Sequence, residues 1–103
     1  MNVFIDDKEL EKLYTRGKSK KLKLSEQVIE KFFSTIQKIE ASVTIYDLWN
    51  DKGLKFEKLQ GTEKHYSMRL SGKYRLEMKV EWEDANQTIG KFHIQKISNH
   101  YDD

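Results

Sequence analysis

Tyr66-Ser67-Met68-Arg69-Leu70-Ser71-Gly72-Lys73-Tyr74-Arg75-Leu76-Glu77-Met78-Lys79-Val80-Glu81-Trp82 alternates apolar and polar residues on both sides of Ser71-Gly72. Alternation with period two around a turn signal predicts an antiparallel hairpin. Directly opposed residues in such a pair share a face of the sheet, so the faces decide the register. A two-residue turn would oppose Met68 to Arg75, core against solvent. A three-residue loop, Ser71-Gly72-Lys73 with Gly72 available for positive φ, opposes Leu70 to Tyr74, Met68 to Leu76, Tyr66 to Met78 and Arg69 to Arg75. The second register keeps Tyr74, Leu76, Met78, Val80 and Trp82 on one face and sets two arginines side by side on the other.

Outward from the hairpin the pattern continues on both sides. Leu54 to Leu59 alternates after Gly53 and predicts a preceding strand; Thr88 to Ser98 predicts a last one after a turn at Asp84 to Gln87. In that last strand Phe92 and Ile94 point inward and Ile97 falls out of phase, which predicts a bulge near Lys96. Toward the N-terminus the period lengthens. Ile29, Phe32, Phe33, Ile36 and Ile39 form an apolar stripe at helical spacing through Ala41, behind a capping Ser25. Asp6 with Glu9 has capping-box spacing before Leu10, Leu13 and Tyr14, and Gly17 ends this shorter helix. Thr44 to Asp51 mixes apolar residues with turn formers and fits a helical turn or a loop anchored by Leu48 and Trp49. The expected fold class is α/β (α+β): two N-terminal helices packed on a twisted, mainly antiparallel sheet.

Length and composition bound the rest. A chain of 103 residues with 37% hydrophobic residues is sized for one core, and the expectation is a single domain over 1–103. Without cysteine there is no disulfide framework and no thiolate metal site, which excludes zinc ribbons and thiol enzymes. Met1 to Ile5 runs into Asp6-Asp7 rather than a long apolar stretch, and no window supplies the ~20 apolar residues of a membrane helix, so a cytoplasmic location without membrane contact is expected. Net charge is only +2, but it is unevenly spread. Thr15 to Leu24 holds Arg16, Lys18, Lys20, Lys21 and Lys23 with no acid; Lys52 to Arg75 holds Lys52, Lys55, Lys58, Lys64, Arg69, Lys73 and Arg75 against Glu57 and Glu63. Leu76 to Asp103 reverses to three bases and six acids. Both a basic face backed by an acidic one and an ordinary solvated lysine-rich surface fit this distribution.

The opposed arginines carry the chemistry. Like charges facing each other cost roughly 0.2–1 kcal/mol, which an anion between them would relieve. A guanidinium suits a phosphodiester because its planar fork donates in pairs and keeps its charge. A neighbouring acid such as Glu77 would satisfy the same need. The chain closes on Ile97-Ser98-Asn99-His100-Tyr101, with a histidine able to exchange a proton near neutral pH. Cleaving RNA needs a base for the 2′-OH, an acid for the 5′-oxygen and cations for the transition state. His100, Tyr101 and the arginines are of those types, although by itself a His-Tyr tail is more often an ordinary surface feature. Tyr101 is also the candidate for stacking a base. His65 and His93 are assigned to a turn and a strand. No histidine pair has metal-ligand spacing and no glycine loop cradles a phosphate, so neither metal nor cofactor is expected.

Phe56-Glu57-Lys58-Leu59-Gln60-Gly61, His65-Tyr66-Ser67-Met68-Arg69-Leu70, Lys73-Tyr74-Arg75-Leu76 and Ile97-Ser98-Asn99-His100-Tyr101 together resemble the HigB-like branch of the RelE/ParE toxins of bacterial type II toxin–antitoxin modules. The order of elements agrees, and the C-terminal half is the specific part. The resemblance implies a RelE-like fold and a toxin that cleaves mRNA on the translating ribosome without a metal. It also implies a partner, a helix-turn-helix antitoxin (HigA-like), with DNA met only indirectly through the antitoxin complex. The family's two basic positions on the central hairpin fall on Arg69 and Arg75, and its closing histidine falls on His100. Glu57 and Gln60 stand where many HigB toxins carry a histidine and a lysine, and Ser98-Asn99-His100 replaces Asp-Tyr-His, with Tyr101 following the histidine. Glu57 is thus a candidate base in place of histidine. Lys18, Lys20, Lys21, Lys23, Lys55, Lys58, Lys64 and Lys73 are the candidate RNA contacts. The alternative is a non-catalytic toxin or binding module on the same fold, such as a topoisomerase poison.

Overall fold

The computed structural model describes residues 1–99. Two helices lead: α1, Lys8–Arg16, and α2, Glu26–Ala41. They follow a short strand β1, Val3–Ile5, and precede a one-turn helix α3, Ile45–Trp49. The remainder builds β2, Glu57–Lys58, β3, His65–Arg69, β4, Tyr74–Trp82, and β5, Gly90–Asn99. These strands form one five-stranded sheet in the order β1-β5-β4-β3-β2. All neighbours are antiparallel except β1, which lies parallel to β5 with Val3 opposite Phe92 and Ile5 opposite Ile94. The sheet is therefore mixed but mostly antiparallel, as the hairpin pattern requires.

The helix ends follow from their capping residues. Asp7, not Asp6, caps α1: its Oδ1 accepts the N–H groups of Glu9 and Leu10 at 2.9 and 3.0 Å. The capping-box spacing of Asp6 and Glu9 is one residue out of step, because Asp6 instead extends the β1 pairing, its N–H donating to Ile94. Gly17 closes α1 at φ 79°, a conformation open to glycine without steric cost. Ser25 caps α2 through the Val28 N–H, and Val28, Phe32, Ile36 and Ile39 are buried along one stripe. Burial of each such side chain contributes about 1.5–3 kcal/mol over leaving it in water. Ile29 and Phe33 flank the stripe, and Tyr14 of α1 meets the rings of Phe32 and Phe33, joining the two helices as a hairpin. Opposite α2 the sheet presents Tyr66, Met68, Leu76, Met78, Val80, Phe92 and Ile94 to the same core.

Two expectations give way here. Leu54 to Leu59 is not a strand: Lys52–Leu54 is a turn of 3-10 helix, Lys55 is left-handed at φ 46°, and only Glu57–Lys58 pairs with β3. Leu54 and Phe56 are still buried, so the alternation reported burial in a compact turn rather than extension. Gly72 does not use positive φ; the hairpin loop is closed by Ser71, whose Oγ accepts the N–H groups of Lys73 and Tyr74, both at 3.1 Å. The loop length and register are as derived, with Met68 opposite Leu76, Tyr66 opposite Met78 and Arg69 opposite Arg75. The bulge in β5 falls at Gln95, since Glu77 faces Lys96 while Met78 faces Ile94. Thr44 to Asp51 resolves as α3, with Ile45 and Leu48 buried and Trp49 half in solvent against Phe56.

Candidate functional site

The helices cover one face of the sheet, and the polar positions of β3, β4 and β5 fall on the other. Period two places Ser67, Arg69, Arg75, Glu77, Lys96 and Ser98 together there, with Glu57 paired to Ser67 at the β2 edge. This face is not the uniformly basic one that charge segregation allowed. Acids and bases interleave: Glu57 pairs with Arg75 at 3.3 Å, Glu77 lies 4.0 Å from Lys96, and Glu81 lies 3.2 Å from His93.

Arg69 and Arg75 are cross-strand neighbours in very different surroundings. Arg69 is exposed, and its Nε donates to the Ser71 carbonyl at 3.2 Å. Arg75, expected on a solvent face, is buried, with 7% of its surface exposed. Its Nε donates to Ser67 Oγ at 2.9 Å and its Nη2 to the Lys55 carbonyl at 2.9 Å. The left-handed turn at Lys55 aims that carbonyl, and Ser67 is itself fully buried. The neighbouring acid that satisfies Arg75 is Glu57 rather than Glu77. A buried guanidinium without such partners would cost several kcal/mol, so the network is what allows a cation below the sheet surface.

The hydrogens can be counted. A guanidinium carries five N–H donors. On Arg75, Nε–H goes to Ser67 and one N–H of Nη2 to the Lys55 carbonyl, while the Glu57 carboxylate is an ion-pair partner 3.3 Å from Nη2. The Nη1 donors have no partner among the described residues, and neither do the Nη donors of Arg69. Among the described residues, two adjacent arginines thus keep uncommitted donors on one face, the property an oxyanion site requires.

The other candidates are distributed over the molecule. Lys18, Lys20, Lys21 and Lys23 are exposed in the segment between α1 and α2. Lys12, Arg16, Lys18, Lys20 and Lys21 line a basin of about 530 Å³ around Glu9. The Ser19 hydroxyl, 2.6 Å from Glu9, and the charge of Lys12 hold that carboxyl below its ordinary pKa. Lys55 and Lys64 are exposed, and Lys58 pairs with Glu63 at 3.7 Å. Lys73 sits over the Tyr74 ring at 5.5 Å, beside the arginines. His100 and Tyr101 lie outside the described residues.

Sequence reasoning missed Ser67 and the Lys55 carbonyl as the groups that aim Arg75. The signal for Ser67 was present: a small hydroxyl two residues before Arg69 on the same face, beside two guanidiniums. It also treated His93 as an ordinary strand residue. The ring is held between Asp6 at 3.6 Å and Glu81 at 3.2 Å and stacks on Phe4. A cleft of about 730 Å³ opens beside it, lined also by Lys64, Lys79, Trp82 and Gln95. His93 faces Lys79, four residues along β4 from Arg75, or about 13 Å at strand rise. Among the described residues no group of three His, Cys, Asp or Glu side chains could hold a metal ion, and no helix is long and apolar enough to cross a membrane.

Comparison with curated proteins finds no match. A family model described as the RelE-like toxin of type II toxin-antitoxin system HigB matches residues 3–96, from β1 to the bulged part of β5. A type II toxin is one half of a pair, so the match implies a cognate antitoxin. Helices on a mostly antiparallel sheet, a central hairpin with opposed arginines and a match over nearly all of the described chain lead to one statement: the chain belongs to the HigB-like toxins of the RelE/ParE fold.

Proposed function

We propose that this toxin is an endoribonuclease that cuts mRNA on the translating ribosome, with Arg69 and Arg75 holding the scissile phosphate. The observation that supports it most is the pair of opposed guanidiniums whose Nη donors are not all taken up among the described residues. In this reading the 2′-oxygen attacks the adjacent phosphorus and the bond to the 5′-oxygen breaks, leaving a 2′,3′-cyclic phosphate and a 5′-hydroxyl. A base removes the 2′-OH proton and an acid delivers one to the departing 5′-oxygen. The arginines stabilise the extra charge on the phosphorane-like transition state.

His100 is assigned as acid or base, Tyr101 as the group that positions the base or nucleotide, and Glu57, beside Arg75, as a possible base. Lys18, Lys20, Lys21, Lys23, Lys55, Lys58, Lys64 and Lys73 are assigned to RNA contacts, the larger part of them ribosomal. Such contacts weaken with salt, because each phosphate neutralised releases counterions.

The test is to induce the protein and map transcript 5′ ends, alongside Arg69→Ala and His100→Ala variants expressed at equal level. New cuts within translated regions, lost in the variants together with growth inhibition, are expected. A DNA-damage response without such cuts, or variants as toxic as the parent, overturns the nuclease reading in favour of a non-catalytic toxin.

A further inference from the structure

Among the described residues, Glu57 is the one acid in contact with the arginine pair. Its carboxylate is 3.3 Å from Arg75 Nη2, with its own side chain 57% exposed and that of Arg75 8% exposed. Bidentate capture of a phosphate end-on by a guanidinium uses one hydrogen from Nη1 and one from Nη2. On Arg75 one Nη2 hydrogen is fixed on the Lys55 carbonyl, and Nε is fixed on Ser67. Glu57 holds its carboxylate 3.3 Å from the same nitrogen as an ion pair. A phosphodiester that closes the fork on Arg75 therefore meets that carboxylate at Nη2.

We infer that Glu57 is an intramolecular anion that occupies the phosphate position on Arg75 and sets a threshold for RNA binding. This rests on the assignment of the arginine pair as a phosphate site. Displacement is local. Glu57 belongs to a strand of two residues, Glu57–Lys58, at the sheet edge, and its carboxylate enters water when released. Arg75 keeps Ser67 and Lys55 throughout, so the guanidinium stays aimed. RNA at low free concentration competes poorly with a tethered carboxylate, whereas RNA presented by a large bound assembly has a raised effective concentration. The device thus favours substrate delivered by the ribosome over free RNA. Once displaced, the carboxylate lies beside the phosphate it yielded to, where a base is needed.

The experiment measures binding, not cleavage. A short fluorescent 2′-O-methyl oligoribonucleotide, which lacks the attacking hydroxyl, is titrated against the parent, Glu57→Gln, Arg75→Met and the double variant by anisotropy over a range of salt. Glutamine keeps the size of the side chain at an exposed position, and thermal melting checks that the fold is intact. Glu57→Gln is expected to bind about two- to fivefold tighter, since the carboxylate charge competing at Arg75 is removed. Its log–log salt slope should steepen by roughly 0.7, as for one more phosphate contact on a single strand. Adding Arg75→Met should abolish the gain. Unchanged affinity and slope in Glu57→Gln, or a gain that survives Arg75→Met, overturns the inference. Absence of cuts in cellular transcripts would sink the nuclease reading while leaving this binding result intact.

Discussion

Replacing Ser67 by alanine isolates the hydrogen bond that aims Arg75. Ser67 is fully buried, and its Oγ receives the Arg75 Nε–H at 2.9 Å. Alanine removes one oxygen and leaves a buried, charged donor where no solvent reaches it. A hydrogen bond to a charged group contributes about 1.5–3 kcal/mol, and at a closed site the loss should fall near the middle, about 2 kcal/mol. For a chain of this size that lowers the melting temperature by roughly 8–16 °C. Arg75→Met keeps the aliphatic stem but strands Ser67 Oγ and the Lys55 carbonyl, with a cost of about 1–3 kcal/mol. Glu57 adds little to this, since its exposed carboxylate regains water. Because both substitutions break the same bond, the double variant should be less destabilised than the sum by about 1–2 kcal/mol. Urea unfolding of the four proteins, with equal m-values, measures the coupling. A coupling below about 0.5 kcal/mol, or Ser67→Ala with parental stability, would refute the view that Ser67 holds Arg75 in place.

Arg69→Ala should behave oppositely: its exposed side chain makes one hydrogen bond, to a loop carbonyl, so stability should stay within about 0.5 kcal/mol while growth inhibition is lost. Equal loss of stability in Arg69→Ala and Ser67→Ala, by thermal melting, would contradict the division between a ligand-facing and an anchored arginine. Gly90→Ala should destabilise by about 1–3 kcal/mol, because a Cβ there would come within 2.6 Å of Val80 Cγ1 and 3.3 Å of the Glu81 carbonyl; chemical denaturation checks it. Asp84 accepts from the Thr88 hydroxyl and from the Thr88 and Ile89 N–H groups, which hold its carboxyl below the ordinary value. Its stabilising contribution is then complete above an unfolded pKa of about 3.9 and is lost as pH falls through the lower folded value. In Asp84→Asn the stability curve, followed by urea titrations between neutral and strongly acidic pH, should lose part of its acid limb and be unchanged in slope above pH 6.

The central hairpin was legible because two constraints agreed there. Face sharing and loop length each selected the same register, and Arg69 opposite Arg75 followed. The helices were legible from Ile29, Phe32, Phe33, Ile36 and Ile39 at helical spacing and from single caps at Ser25 and Gly17, although Val28 rather than Ile29 or Phe33 completes the buried stripe. What failed was local. Leu54 and Phe56 alternate in sequence, but a left-handed Lys55 produces the same burial without a strand. Burial of Arg75 was invisible because alternation tells which face a residue takes, not whether a neighbouring turn covers that face. Segregated charge along the chain did not become segregated charge in space, since β4 carries Glu77 and Glu81 among its own bases and Glu57 of β2 reaches Arg75. The parallel strand β1 had only Val3, Phe4 and Ile5 to announce it, too short a run to show a partner.

That first strand has a temporal meaning. Val3 lies against Phe92, and Gln95 donates to Asp6 across 89 residues of chain, whereas Arg69 and Arg75 sit on a hairpin made of near neighbours. Contacts this distant close late in folding, after local hairpins and helices have formed. During synthesis the two arginines can therefore meet before β5 exists to join β1 to β4, and the sheet is sealed only when its penultimate stretch is available. A newly made chain can thus hold its arginine hairpin assembled while its core is still open along one side.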